Sequence, residues 1–169
     1  MNIETISYPR TREPKVDQNQ IEEIISVVED RHESIASSKE NGNPPSKEVQ
    51  KELSEDFENI GFEVEEDDII KQHIYTRDNG RTVHSQMDVY DPESGIRVEI
   101  EGSRALVGGN NVYRDLFYAD LMENLELLCL IVPNYCSSQD EESFRHIKYR
   151  LNAKYEQTNP DYDILLIGY

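Results

Sequence analysis

The sequence predicts an α/β protein in which a mixed central sheet carries helices on its faces. Three observations point there. Two stretches with helical apolar spacing precede four strand-like segments separated by turn signals. Two further helical stretches then alternate with two strand-like runs. One of those runs, Leu127 to Val132, is continuously apolar, as a centrally buried strand should be.

In chain order, Tyr8-Pro-Arg-Thr-Arg-Glu-Pro-Lys15 is a short basic arm whose two prolines argue against regular structure. Ile21, Ile24, Ile25, Val28 and Ile35 recur at helical spacing, with Glu22, Glu23, Glu29 and Asp30 on other faces. Ser37 to Pro45 breaks this helix. Ser46 then caps a second one, striped by Val49, Leu53, Phe57 and Ile60 and closed by Gly61. Strands are expected over Phe62 to Glu65, Ile69 to Tyr75, Arg81 to Tyr90 and Ile96 to Glu101. Their turns are Asp78-Asn-Gly80 and Asp91-Pro-Glu-Ser-Gly95. Beyond Gly108-Gly109, Asn110 or Asn111 caps a helix running from about Val112 to Glu123. After Leu127 to Val132, the pattern Ser138 and Glu141 opens a helix striped by Phe144, Ile147, Leu151 and Tyr155. The chain ends on a strand, Tyr162 to Ile167. Hairpin-linked strands pair antiparallel, and helix-linked ones add parallel pairs. Residues 1–169 are expected to form a single domain, with 1–45 an N-terminal arm and helix added to the core.

The apolar runs are far too short to span a bilayer, and the opening residues lack the pattern of a signal peptide. Two cysteines make no disulfide framework, so a reduced, cytoplasmic protein is expected. A net charge of −18 weighs against phosphate-backbone partners unless basic surfaces are concentrated locally. A high-salt cell interior would screen that charge, a reading the composition supports only in part.

The segment from Met87 to Gly102 carries the chemistry. Glu99 and Glu101 are two residues apart in a strand and therefore share a face, and the hairpin folds Asp88 back towards them. Val98 and Ile100 fall on the opposite, buried face. Converging carboxylates repel unless a cation or shared protons offset them, and oxygen ligands suit a hard divalent ion such as Mg²⁺. The carbonyl of Ile100 is a candidate further ligand. Such an ion can activate water, stabilise a phosphorane-like transition state and assist the leaving oxygen. The bland alternative is a strand edge bearing solvated carboxylates, because a chain with 35 acidic residues produces such spacings by chance.

Asp88, a turn and then Glu99-Ile-Glu101 resemble the PD-(D/E)XK nuclease superfamily, most closely type II restriction endonucleases in which Glu replaces the lysine of the motif. The likeness spans roughly Ser46 to Tyr169. It implies a restriction-endonuclease-like core and metal-dependent hydrolysis of DNA phosphodiester bonds, with Mg²⁺ as cofactor and Mn²⁺ able to substitute. Asp88 and Glu99 would bind metal, and Glu101 would take the place of the water-activating lysine. A further carboxylate from the first core helix would be Glu52. No proline precedes Asp88, and the missing lysine raises dependence on the metal.

Candidate phosphate contacts are Arg104 and Arg114 beside the motif, and Arg145 and Lys148 on the helix striped by Phe144. His84, by strand parity, shares a face with Asp88 and reads as a structural histidine or a proton relay. Gly108-Gly109 reads as a turn, and Cys129 as core. A symmetric homodimer would suit cleavage of both strands, with the helix of Ile21, Ile24, Ile25 and Val28 as its contact. The alternative function is a nuclease-like binding or regulatory protein without turnover, or an acidic DNA mimic. A mimic would be acidic on every face, whereas a nuclease needs a basic rim at the carboxylates.

Overall fold

A computed structural model describes residues 3–9, 16–38, 42–65, 70–102, 111–135, 142–158 and 160–169. Its elements are β1 (Glu4–Tyr8), α1 (Gln18–Asp30), α2 (His32–Ile35), α3 (Ser46–Asn59), β2 (Glu63–Val64), β3 (Ile70–Thr76), β4 (Thr82–Met87), β5 (Val89–Asp91), β6 (Ile96–Ile100), α4 (Asn111–Ala119), β7 (Leu127–Val132), α5 (Ser143–Thr158) and β8 (Asp163–Gly168). Six strands form one mixed sheet in the order β1-β8-β7-β6-β5-β2. The β6–β7 and β7–β8 pairs are parallel; the β1–β8, β5–β6 and β2–β5 pairs are antiparallel.

Strand parity splits the interior into two layers. Val98, Ile100, Cys129, Ile131, Leu165 and Ile167 pack with α1, α2 and α3 on one face. Leu128, Leu130, Val132, Ile164 and Leu166 pack with α4 and α5 on the other. Burying both faces is what the unbroken apolar run of β7 requires. The mixed sheet flanked by helices is therefore the predicted fold class.

Local chemistry explains most element ends. Gly61 has φ +95°, and the Phe62 N–H donates to the Phe57 carbonyl while Gly61 N–H donates to Glu58. This is a Schellman closure of α3, completed by Phe57 and Phe62 with ring centroids 5.8 Å apart. At the other end of α3, Pro45 rather than Ser46 occupies the capping position, and no side chain caps the helix. Proline presets an entry φ and lacks an N–H that would go unpaired there.

Four further expectations change. The N-terminal segment is not irregular at its start, because β1 adds as an edge strand beside β8 and buries Tyr8. Ile35 belongs to α2, not to one long first helix. The strand expected over Arg81 to Tyr90 breaks at Asp88: β4 leaves to pair with β3 in a separate two-stranded ribbon, and β5 stays in the main sheet. Asn111 is the first residue of α4, which stops at Ala119 rather than Glu123. The Arg10 to Lys15 arm, Arg104, Gly108-Gly109, Asn110, Cys136 and the Ser138–Glu141 pattern lie outside the described residues.

Candidate active site

All five residues of β6 are buried, although two of them are charged. Alternation sends Ile96, Val98 and Ile100 into the layer with α1 and α3. Arg97, Glu99 and Glu101 take the other face. Register sets Arg97 beside Leu128 and Glu99 beside Leu130, so charge enters a layer that β7 keeps apolar. The side chains of α4 meet it there.

Asp88 stands opposite Glu99 by extension of the Val89–Val98 pairing. Because the chain turns away into the ribbon at this point, the β5 backbone no longer serves Ile100. The Asp88 side chain replaces it: the Ile100 N–H donates to Asp88 Oδ2 at 2.8 Å. The position of Asp88 is further fixed by Glu65, whose N–H donates to the Asp88 carbonyl at 2.8 Å. Gln50 of α3 donates to the Glu65 carbonyl at 2.9 Å and reaches the Asp88 carbonyl at 3.5 Å. The structure thus joins Asp88, Glu99 and Glu101 electrostatically, and places the Ile100 amide between them.

Two further charged residues, neither anticipated, belong to this group. Arg97 is fully buried; its Nε donates to Glu99 Oε1 at 2.5 Å, and its Nη2 lies 3.8 Å from Asp115 Oδ1. Asp115 comes from α4, is 1% exposed, and shares a side-chain hydrogen bond with Glu101. The signals were present. Arg97 has the strand parity of Glu99, and Asp115 interrupts an apolar helix face formed by Val112, Leu116 and Ala119. Asn111 donates to Glu101 Oε2 at 3.2 Å, and the Tyr169 hydroxyl donates to the Glu101 carbonyl at 2.7 Å.

Burial dominates the electrostatics. It raises Asp88 to about 6 despite the Ile100 amide, with Asp115 and Glu65 adding to the rise. Glu101 rises to about 8, first through burial and then through the Asp115 charge, against the opposing bond from Asn111. Glu99 is pushed well above the usual carboxylate range by burial, with Arg97 opposing. These are carboxyls short of positive charge.

The other candidates scatter. Glu52 lies on the exposed face of α3, where its charge acts on Arg31 rather than on the cluster; the α3 residue reaching Asp88 is Gln50. Arg114 does reach the site, 3.3 Å from Asp115 Oδ1. Arg145 is exposed and paired with Glu142 at 3.0 Å, and the Lys148 carbonyl accepts from Tyr8; neither contact leads to the carboxylates. His84 is exposed on the ribbon, 2.9 Å from the Thr82 hydroxyl and edge-on to His73. It lines a cleft of about 440 Å³ with Lys71, Gln86, Arg114 and Tyr118. That cleft adjoins the cluster through Arg114 on Asp115 and through Arg97 Nη2, which donates to the Gln86 carbonyl at 3.3 Å. Cys129 is buried core, as expected.

Among the described residues, no three His, Cys, Asp or Glu side chains are already gathered as a metal-binding set. The donor chemistry nevertheless fits a hard divalent cation: buried carboxylate oxygens of Asp88, Glu99 and Glu101, with Asp115 beside them, repel one another and are offset in part only by Arg97 among the described residues. No helix among the described residues is long and apolar enough to cross a membrane.

No family model matches the sequence, and no curated protein matches it either. The fold has a solved counterpart. It is similar to the crystal structure of the restriction endonuclease BglII complexed with a DNA 16-mer, with a TM-score of 0.64 and 12% identity over 99% of this chain and 78% of that one. The chain accordingly has a restriction-endonuclease-like fold.

Proposed function

We propose that this protein is a metal-dependent DNA endonuclease. The observation that carries the reading is a buried carboxylate cluster beside a cleft whose described lining residues include the cations Lys71 and Arg114. In a chain of net charge −18, such a cleft is where a phosphate backbone meets least repulsion. The likeness to a DNA-bound restriction endonuclease supports the same substrate class.

Asp88 and Glu99 would hold Mg²⁺, or Mn²⁺ in its place, with the Ile100 carbonyl as further ligand. The ion would supply charge to offset the cluster, polarise a phosphoryl oxygen and acidify the attacking water. Glu101 is the base. Near neutrality its carboxyl keeps a proton because of burial and Asp115, so it accepts a proton from water only once that field is offset. Arg114, half exposed at the cleft, is placed to meet a phosphate oxygen. A nuclease-like protein without turnover is the rival reading, favoured by the Arg97–Glu99 pair, which satisfies Glu99 with no metal.

Cutting both strands calls for two sites, most simply from a symmetric dimer. The helix first expected to make that contact does not offer it: Ile24 and Val28 are buried in their own core, and Ile21 and Ile25 pack against it. Exposed apolar residues are found instead on α4 and just beyond it, where Tyr113, Phe117 and Leu121 recur at four-residue spacing.

Supercoiled plasmid incubated with Mg²⁺ or Mn²⁺ is expected to be nicked or linearised, with activity abolished by EDTA and lost in Glu99→Ala. A folded protein that leaves plasmid intact at every salt concentration would sink the nuclease reading.

A further inference from the structure

Arg97 is an unusual residue to bury. Its guanidinium is wholly shielded from solvent, so its charge cannot serve a bound substrate directly. Its contacts tie three elements together: Glu99 on its own strand at 2.5 Å, Asp115 of α4 at 3.8 Å, and the Gln86 carbonyl of the ribbon at 3.3 Å. Among the described residues, Nη1 meets the Met122 sulfur, at 3.3 Å. A guanidinium buried alone, or carboxylates buried alone, would each be strongly unfavourable. Here each offsets part of the other's cost.

The balance is incomplete. Among the described residues, Asp88, Glu99, Glu101 and Asp115 face one buried guanidinium, while Arg114 approaches Asp115 from the half-exposed side. Arg97 occupies one of the two oxygens, Oε1, of the carboxylate that a divalent ion would use.

We propose that Arg97 is the resident counter-ion of the carboxylate cluster: it holds Glu99 in the metal-free protein and competes with the divalent cation for that carboxylate. The inference rests on the metal-binding part of the reading above. Its consequence has a definite sign. A purely structural arginine, once replaced, would loosen the site and weaken cation binding. A competing counter-ion, once replaced, leaves a more negative site with Glu99 free, and binding tightens.

The test is Mn²⁺ binding, followed by the electron paramagnetic resonance of the free ion, in the unaltered protein, Arg97→Gln and Arg97→Lys. The Gln variant is expected to bind at least about tenfold more tightly, the effect of removing one nearby unit charge, and the Lys variant to remain close to the unaltered protein. Unchanged or weaker binding by a folded Arg97→Gln, or no Mn²⁺ binding by any of the three, overturns the proposal. Should Arg97→Gln fail to fold, the Nε–H resonance of Arg97 in the unaltered protein decides. It is expected to move and saturate as Mg²⁺ is added, and a resonance that stays fixed overturns the proposal. Plasmid nicking is scored separately. Nicking without tighter binding in Arg97→Gln sinks this inference alone, whereas tighter binding without nicking sinks the nuclease reading alone.

Discussion

Asp88 and Glu101 contribute to the pH response of the metal-free protein, beside Glu99, which burial also raises. Each has a folded-state pKa above its ordinary value, at about 6 for Asp88 and about 8 for Glu101. The folded protein therefore keeps protons that the unfolded chain has already released. For an acid with that sign, stability is greatest below the unfolded value and falls as pH rises through the folded one. Chemical denaturation without metal is expected to show stability dropping between about pH 4 and pH 8 by on the order of a few kcal/mol. Glu101→Gln, which cannot ionise, should flatten the upper part of that decline and be the more stable protein at pH 8. A profile of Glu101→Gln parallel to that of the unaltered protein would show that Glu101 does not carry the shift. The Asp88, Glu99 and Glu101 grouping was readable from strand parity and a turn. Arg97 obeyed the same parity and could have been included. Gln50 could not, because nothing local says which residue of α3 points at a strand pairing with distant sequence.

At the scale of elements, the turn from β5 to β6 decides whether Asp88 and Glu99 meet. Gly95 adopts φ +70°, and its N–H donates to the Asp91 carbonyl at 2.9 Å. A Cβ at this position would lie 2.3 Å from the Asn124 carbonyl oxygen, which is backbone and cannot rotate aside. Gly95→Ala is therefore expected to lose more than about 1 kcal/mol in urea denaturation, combining a disfavoured φ with a clash. Plasmid nicking should fall as well, since the same turn registers the two carboxylates. Retained stability and activity would mean that the hairpin tolerates a shift of register. The Asp91 to Gly95 turn was legible because it is local chemistry: Asp91 accepts from Glu93 and Ser94, and glycine supplies the positive φ. The departure of β4 into its own ribbon was not, since β3 and β4 read as ordinary sheet strands and only tertiary pairing separates them.

For the whole molecule, the net charge of −18 makes association depend on where the few exposed apolar and basic groups lie. Light scattering is expected to report a dimer, and Phe117→Asp, a change at a residue 59% exposed, should shift it to monomer without loss of fold. A monomer at every concentration would remove the dimer and leave the cleavage of both strands to successive encounters.

Local sequence patterns were enough for the order of elements from α3 to β8 apart from the break between β4 and β5, for the buried central strand Leu127–Val132, for the helix closure at Gly61 and for the shared face of Glu99 and Glu101. These depend on periodicities of two and 3.6 residues and on turn chemistry, all carried within a few neighbouring positions. Only the tertiary structure decided that β1 closes the sheet beside β8, that Asp115 descends from α4 onto Glu101 and Arg97, and that Glu52 faces away. Those outcomes depend on which distant segments exclude water together, and on how a buried charge finds its partner. Burial turned a row of acids that could have been solvated into a cluster short of cations.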